Sequence, residues 1–368
     1  MTANFAIHRY VALGARSWVR GSLAAFECHS LLAAIVAAQI AIYAALHVVY
    51  PQMRNANPYD LVATASELGT FILPICILTI CLCRLVRARP KGSPTVALLR
   101  EVWRYISDRD RLANGVPVIV LFVPFSALFA SLKIAIPLIQ PFAWDETFSA
   151  WDRALFLGAL PHEVLNPLMS HPIVLFATNM AYNAWFVLML ATLVACAFMK
   201  SRTVLRTRYL VAFFLVWLVE GNILALLLSS AGPCFYGLIG LEPNPYLGLM
   251  ASLREADATA PIYALRAQGF LWSGHIGEGA SVGISAMPSL HNGVAILMAL
   301  AASQLGPRLG LVFAAYAVWI FLGSISLAWH YAVDGLVALL ATIALWTLAG
   351  TLARWWHQGR EAICPTRI

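Results

Sequence analysis

His330 and Asp334 stand four residues apart at the head of an apolar run, in the segment Trp329-His330-Tyr331-Ala332-Val333-Asp334. On a helix that spacing puts both on one face. A carboxylate a turn inside an apolar stretch is costly unless it has a partner. If it accepts one imidazole N–H, it fixes the tautomer and leaves the other nitrogen as base or nucleophile. A structural pair pinning two helices would use the same spacing. A second segment, Ser285-Ala286-Met287-Pro288-Ser289-Leu290-His291, opens another apolar run. Pro288 suits a first helical turn, and Ser285 or Ser289 lies by an N-terminus whose free N–H groups favour an anion. His291 can reach that anion as a proton donor. A third segment, Ala231-Gly232-Pro233-Cys234-Phe235-Tyr236, closes an earlier run. Two histidines, a carboxylate and a helix N-terminus at one depth supply nucleophile, orienter, acid and anion cradle for phosphoryl transfer.

Placing those segments at one depth is the task of the rest of the chain. Its 368 residues are 61% apolar and 11% charged, with a mean hydropathy of +0.77. A soluble domain carries roughly 25% charged residues, so soluble, disordered and coiled-coil classes are excluded. Eight stretches reach or approach the ~20 residues of a spanning helix: 31–50, 67–86, 116–139, 173–199, 209–231, 288–305, 309–328 and 331–353. The first reads as a retained anchor rather than a signal peptide. Nineteen of the 24 Lys and Arg residues fall in the termini and alternate connections, four in the others, and Lys133 inside a run. That asymmetry predicts an all-α integral membrane protein of about eight transmembrane helices, with both termini cytoplasmic and the three segments on the outside. It also accounts for the net charge of +7 without nucleic acid. Two outside connections are long. One is expected to carry a short helix around Trp151–Leu160, and the other, 232–287, is long enough to be functional. Residues 1–110 read as an N-terminal portion with two spans and a basic loop, 111–355 as the catalytic membrane domain, and 356–368 as a tail. The seven cysteines lie mostly inside or beside apolar runs, and no disulfide is expected.

Pro288-Ser289-x-His291 followed by His330-Tyr331-x-x-Asp334 resembles the type-2 phosphatidic acid phosphatase superfamily. More narrowly, Gly232-Pro233-x-Phe235-Tyr236 is similar to the first motif of its inositolphosphotransferase branch, which includes the inositol phosphorylceramide synthases. The resemblance covers spans three to eight and implies a six-helix catalytic bundle without metal or cofactor. It also implies that His330 attacks phosphorus, Asp334 orients it and His291 protonates the leaving alkoxide. Ser289 and Pro288 would belong to the phosphate cradle, and Gly232 and Tyr236 to substrate binding. The implied partners are a phospholipid or lipid phosphate donor and a hydroxyl acceptor or water. The phosphatase branch carries a Lys and an Arg in its first motif and an Arg six residues before the nucleophile. Here the first motif has neither, and the last position is Ser324. Losing cationic forks disfavours a phosphomonoester more than a singly charged diester, so a diester donor is expected; Arg254 and Arg266 read first as solvated loop charges, with a replacement clamp as the alternative.

Lys133 and Glu220 read first as a structural pair inside the membrane, the alternative being that Glu220 and Asn222 line the site below Gly232. Asn179, Tyr182 and Asn183 share a face of the fourth run, where interhelical hydrogen bonding or the cavity could claim them. Transfer of a phospho-headgroup is the preferred activity and hydrolysis of a lipid phosphate or diphosphate the nearest rival. A catalytically inactive lipid-binding or transport protein is the rival of another class. The expected setting is a bacterial inner membrane with an extracytoplasmic site.

Overall fold

In a bilayer a long apolar run must close its backbone hydrogen bonds within itself, which selects the helix. The computed structural model describes residues 26–50, 74–90, 92–201, 203–279 and 282–358, and among them there is no strand. The helices are α1 (Ser30–Val49), α2 (residues 74–88), α3 (Pro94–Ile106), α4 (Arg109–Ile139), α5 (Asp145–Leu155), α6 (Pro161–Met169) and α7 (Pro172–Ala197). They continue with α8 (Val204–Leu227), which contains a π-helical turn at Val219–Leu224, then α9 (Leu247–Asp257) and α10 (Tyr263–His275). Last come α11 (Leu290–Leu305), α12 (Pro307–Ser326) and α13 (Ala332–Gln358).

Six of these are long and apolar enough to cross a membrane: α1, α4, α7, α8, α12 and α13. Helix α11 is apolar but has only 16 residues. The expected second span starts outside the described residues, and its described part is α2. Helices α11 and α12 form a tight hairpin at Gly306, α13 lies along α8 and α11, and α7 packs on α4, α8, α11 and α12. Where α8, α11 and α13 converge, Gly293 leaves room for buried side chains: a Cβ there would press on Glu220 Oε2 and lie 3.1 Å from Thr342 Oγ1. At the start of α8 the buried Arg206 donates to the carbonyls of Asn114, Cys196 and Ala197, tying α8 to α4 and α7.

Three expectations change. The helix expected around Trp151–Leu160 spans Asp145–Leu155 instead, because the acidic pair Asp145-Glu146 starts it and the chain turns with positive φ at Leu157 and Gly158. The 232–287 connection is no open loop but folds into a 3-10 turn, α9 and α10. Cys28 is disulfide-bonded, with its partner outside the described residues; a cysteine flanking a span is free to meet another flank, which positions inside spans did not exclude. The other five described cysteines are free.

Candidate active site

Ser289 caps α11: its hydroxyl accepts from the Asn292 N–H at 3.4 Å and from Asn292 Nδ2 at 2.9 Å. Such a cap satisfies one orphan donor of the first turn. It leaves Ser289 fully buried, held between α11 and the Asp334 carbonyl, which accepts its N–H at 3.3 Å. Asn292 Nδ2 also reaches Ser324 Oγ at 3.3 Å. Ser324 is buried beneath this helix start. Beyond the cap, the His291 ring stacks on Tyr182 with centroids 4.4 Å apart and packs on Trp185 at 4.2 Å. Its carbonyl accepts from Trp185 Nε1 at 3.0 Å.

His330 sits in the turn before α13, its N–H and that of Trp329 both donating to the Ser324 carbonyl. Its Nδ1 lies 3.2 Å from Asp334 Oδ2, which also accepts the Tyr331 N–H at 3.1 Å. With Nδ1–H given to the carboxylate, Nε2 carries the lone pair, and the ring also meets the Ala286 backbone in a hydrogen bond. Burial holds the imidazole well below the usual histidine range, and the charge of Lys133 pushes the same way, so the ring is neutral at physiological pH. His291 and His330 face one another with ring centroids 6.4 Å apart.

Gly232 is where the three segments touch. Its φ is +102°, and a Cβ there would stand 2.8 Å from the Trp329 carbonyl oxygen and 3.1 Å from Ala286 Cβ. The neighbouring main chain completes the junction: Cys234 N–H donates to the Ala328 carbonyl and Ala286 N–H to the Ser230 carbonyl. Holding this junction from outside is α5. Asp145 accepts from the N–H groups of Ala231 (2.9 Å) and Gly232 (2.8 Å) and from the Tyr331 hydroxyl (2.8 Å). Asp152, two turns on, accepts from the Ala332 and Val333 N–H groups at 2.8 and 3.0 Å. It thereby serves the orphan donors and the positive end of α13. Burial raises both carboxyls, Asp152 up to about 7, against the pull of those donors. Sequence reading did not assign either residue, although their i, i+7 spacing puts them on one helix face.

Both histidines line a cavity of about 340 Å³ whose walls are largely aromatic, with Lys133, Asn183 and Ser285 as further polar groups. Tyr182 and Asn183 do face it, whereas Asn179 donates to the Pro261 carbonyl at 3.0 Å. Of the predicted binding residues, Ser289, Pro288 and Gly232 form the buried frame around the histidines. Tyr236 instead packs with Phe148, Tyr246 and Tyr331 under α5, its ring turned away from the cavity lining. Arg266 is not brought in: it is exposed on α10 and rests over Tyr263, because the apolar face of α10 is the one that closes the cavity. The expected Lys133–Glu220 pair also fails to form. Glu220 accepts from Thr342 Oγ1 at 2.8 Å, and Lys133 turns to the cavity. Among the described residues there is no cluster of three His, Cys, Asp or Glu side chains able to hold a metal.

A helical membrane bundle with a mostly apolar cavity lined by two histidines at the ends of its helices defines the class: an integral membrane protein with a histidine-bearing site. A family model described as the PAP2 superfamily matches residues 146–348, more than half of the chain, and the protein belongs to that superfamily, a phosphatase-type lipid enzyme. Comparison with curated proteins and with solved structures gives no match.

Proposed function

We propose that the protein cleaves a lipid phosphoester through a phosphohistidine and passes the phospho-headgroup to a hydroxyl acceptor. The observation that carries this is the meeting of His330, tied through Nδ1 to Asp334, with His291 across one cavity. In the first step His330 Nε2 attacks phosphorus, the P–O ester bond breaks, and protonated His291 gives its proton to the leaving alkoxide. In the second step the acceptor oxygen attacks phosphorus, the P–N bond breaks, and the now neutral His291 takes the acceptor's proton. Asp334 stabilises the positive charge that the His330 ring carries while phosphorus is bound to it. The aromatic walls suit an acyl-bearing substrate entering from the bilayer.

The reading extends to eight spans, α2 and α11 included, with a six-helix catalytic bundle from α4 onward and residues 1–110 and 356–368 as appendages. The positive charge of alternate connections supports cytoplasmic termini and an outside site, and a bacterial inner membrane is the setting in this reading. Gly232-Pro233-x-Phe235-Tyr236 and the absent arginines support kinship with the inositolphosphotransferase branch rather than with the monoester phosphatases.

The test uses purified protein in lipid nanodiscs with phospholipid and lipid-phosphate donors, with and without hydroxyl acceptors. Mass spectrometry follows lipid products and free phosphate. Headgroup transfer that falls by at least a thousandfold in His330→Ala is expected. Phosphate release from monoesters alone would assign hydrolysis instead, and turnover that survives His330→Ala would remove the nucleophile.

A further inference from the structure

We propose that Lys133 is the cation that receives the substrate's phosphate, and that with this single cation the site is matched to a phosphodiester. The proposal rests on the reaction assigned to His330 and deepens it.

Lys133 projects from α4 into the cavity shared by His291 and His330, and no other Lys or Arg among the described residues lines that cavity. Among the described residues it forms neither an ion pair nor a hydrogen bond; its ammonium rests 5.8 Å from the Phe129 ring, one turn back on the same helix. The acidic candidate inside the membrane, Glu220, is engaged by Thr342. A lysine inside a spanning helix normally finds a partner or marks a substrate path. Here the described residues supply no partner and the cavity is present.

Its placement is built in. A Cβ on Gly283 would clash with the Lys133 carbonyl group and lie 2.7 Å from the Ile134 nitrogen. The strand of chain that leads into Ser285 and His291 therefore lies directly on the Lys133 backbone. The ammonium's stem and the proton donor's helix are held in register by that contact. Lys133 also precedes residues 146–348, the portion that matches the superfamily, so this cation comes from outside the shared segment.

Charge arithmetic selects the substrate. Once the bound phosphate has drawn a proton onto His291, Lys133 and His291 carry two positive charges, and Asp334 one negative. A phosphodiester brings one negative charge and the site is neutral. A dianionic monoester leaves one charge uncompensated among aromatic walls, where an unpaired charge is expensive.

The test measures lipid binding by native mass spectrometry in the His330→Ala background, which removes the proposed nucleophile. Phosphatidylglycerol is compared with phosphatidic acid and with diacylglycerol of the same chains. A preference for phosphatidylglycerol over diacylglycerol is expected, falling at least tenfold on Lys133→Met and partly kept by Lys133→Arg, with diacylglycerol binding unchanged. Thermal unfolding of Lys133→Met should occur at or above the parent temperature, because the change removes a lone charge. An undiminished preference in Lys133→Met, no preference in the parent, or a destabilised Lys133→Met would overturn the cation's role. Stronger Lys133-dependent binding of phosphatidic acid would overturn the diester assignment. Failure of the parent reading shows separately, as turnover that survives His330→Ala in otherwise wild-type protein.

Discussion

At Gly232 the backbone takes a φ of +102° while the Trp329 carbonyl and Ala286 Cβ close in on the position a side chain would occupy. A left-handed non-glycine residue costs on the order of 1–3 kcal/mol, and the clash falls on the turn that carries His330. Gly232→Ala is therefore expected to lower kcat at least tenfold and to lower the unfolding temperature; unchanged values of both would mean the junction yields at no cost. The nucleophile candidate was legible because i, i+4 spacing carries geometric meaning on a helix, and His330 and Asp334 do meet. Arg266 and Tyr236 were not, because loop position fixes depth in the membrane but not the direction in which a side chain leaves its helix. Lys133 was misread for the opposite reason. A charge inside a span signals that a partner is needed, and whether that partner is protein or substrate is decided only by packing.

At the scale of elements, the short helix α5 holds the ends of two long ones. Asp145 grips the turn after α8 and Asp152 the start of α13, so α5 fixes the distance between the first and third segments. Burial raises Asp152 to about 7 from an unfolded value near 3.9. The sign follows: the unfolded chain ionises first, so the stability linked to this group is fully present below pH ~4 and is lost as pH rises through ~7. Asp152→Asn cannot titrate. Relative to Asp152→Asn, the wild-type melting temperature should therefore fall between pH 4 and 7, measured in detergent across that window. Parallel curves would show that Asp152 keeps an ordinary pKa. The sequence marked this region only as a tryptophan-rich, acidic connection. Turn chemistry after Leu155 set the helix five residues earlier than expected, and carboxylates serving another helix's N–H groups leave no local signature.

Over the whole molecule, hydropathy made the class of fold plain, since runs of 20 or more apolar residues admit few structures. The count of spans was less legible: α11 has 16 residues and is short because the Pro288 turn and Gly306 bound it closely. What the apolar runs could not indicate is α3, in the basic connection. There Val96, Leu99, Trp103 and Ile106 are exposed along one side, with Arg100 and Arg104 beside them. An exposed apolar stripe edged with arginines suits the membrane–water boundary on the positively charged side. If so, α3 lies in the cytoplasmic interface, and α5, α9 and α10 cover the site from the other. Ser107, just after α3, and Ser252, on α9, are both exposed and report the two faces. In a Cys83→Ser background, a membrane-impermeant thiol reagent should label Ser252→Cys in intact spheroplasts and Ser107→Cys only after permeabilisation. The reverse pattern would invert the protein and move the site to the cytoplasm. Labelling of both without permeabilisation would break the link between the basic connections and the inner face, and with it the argument that one face gathers all three segments.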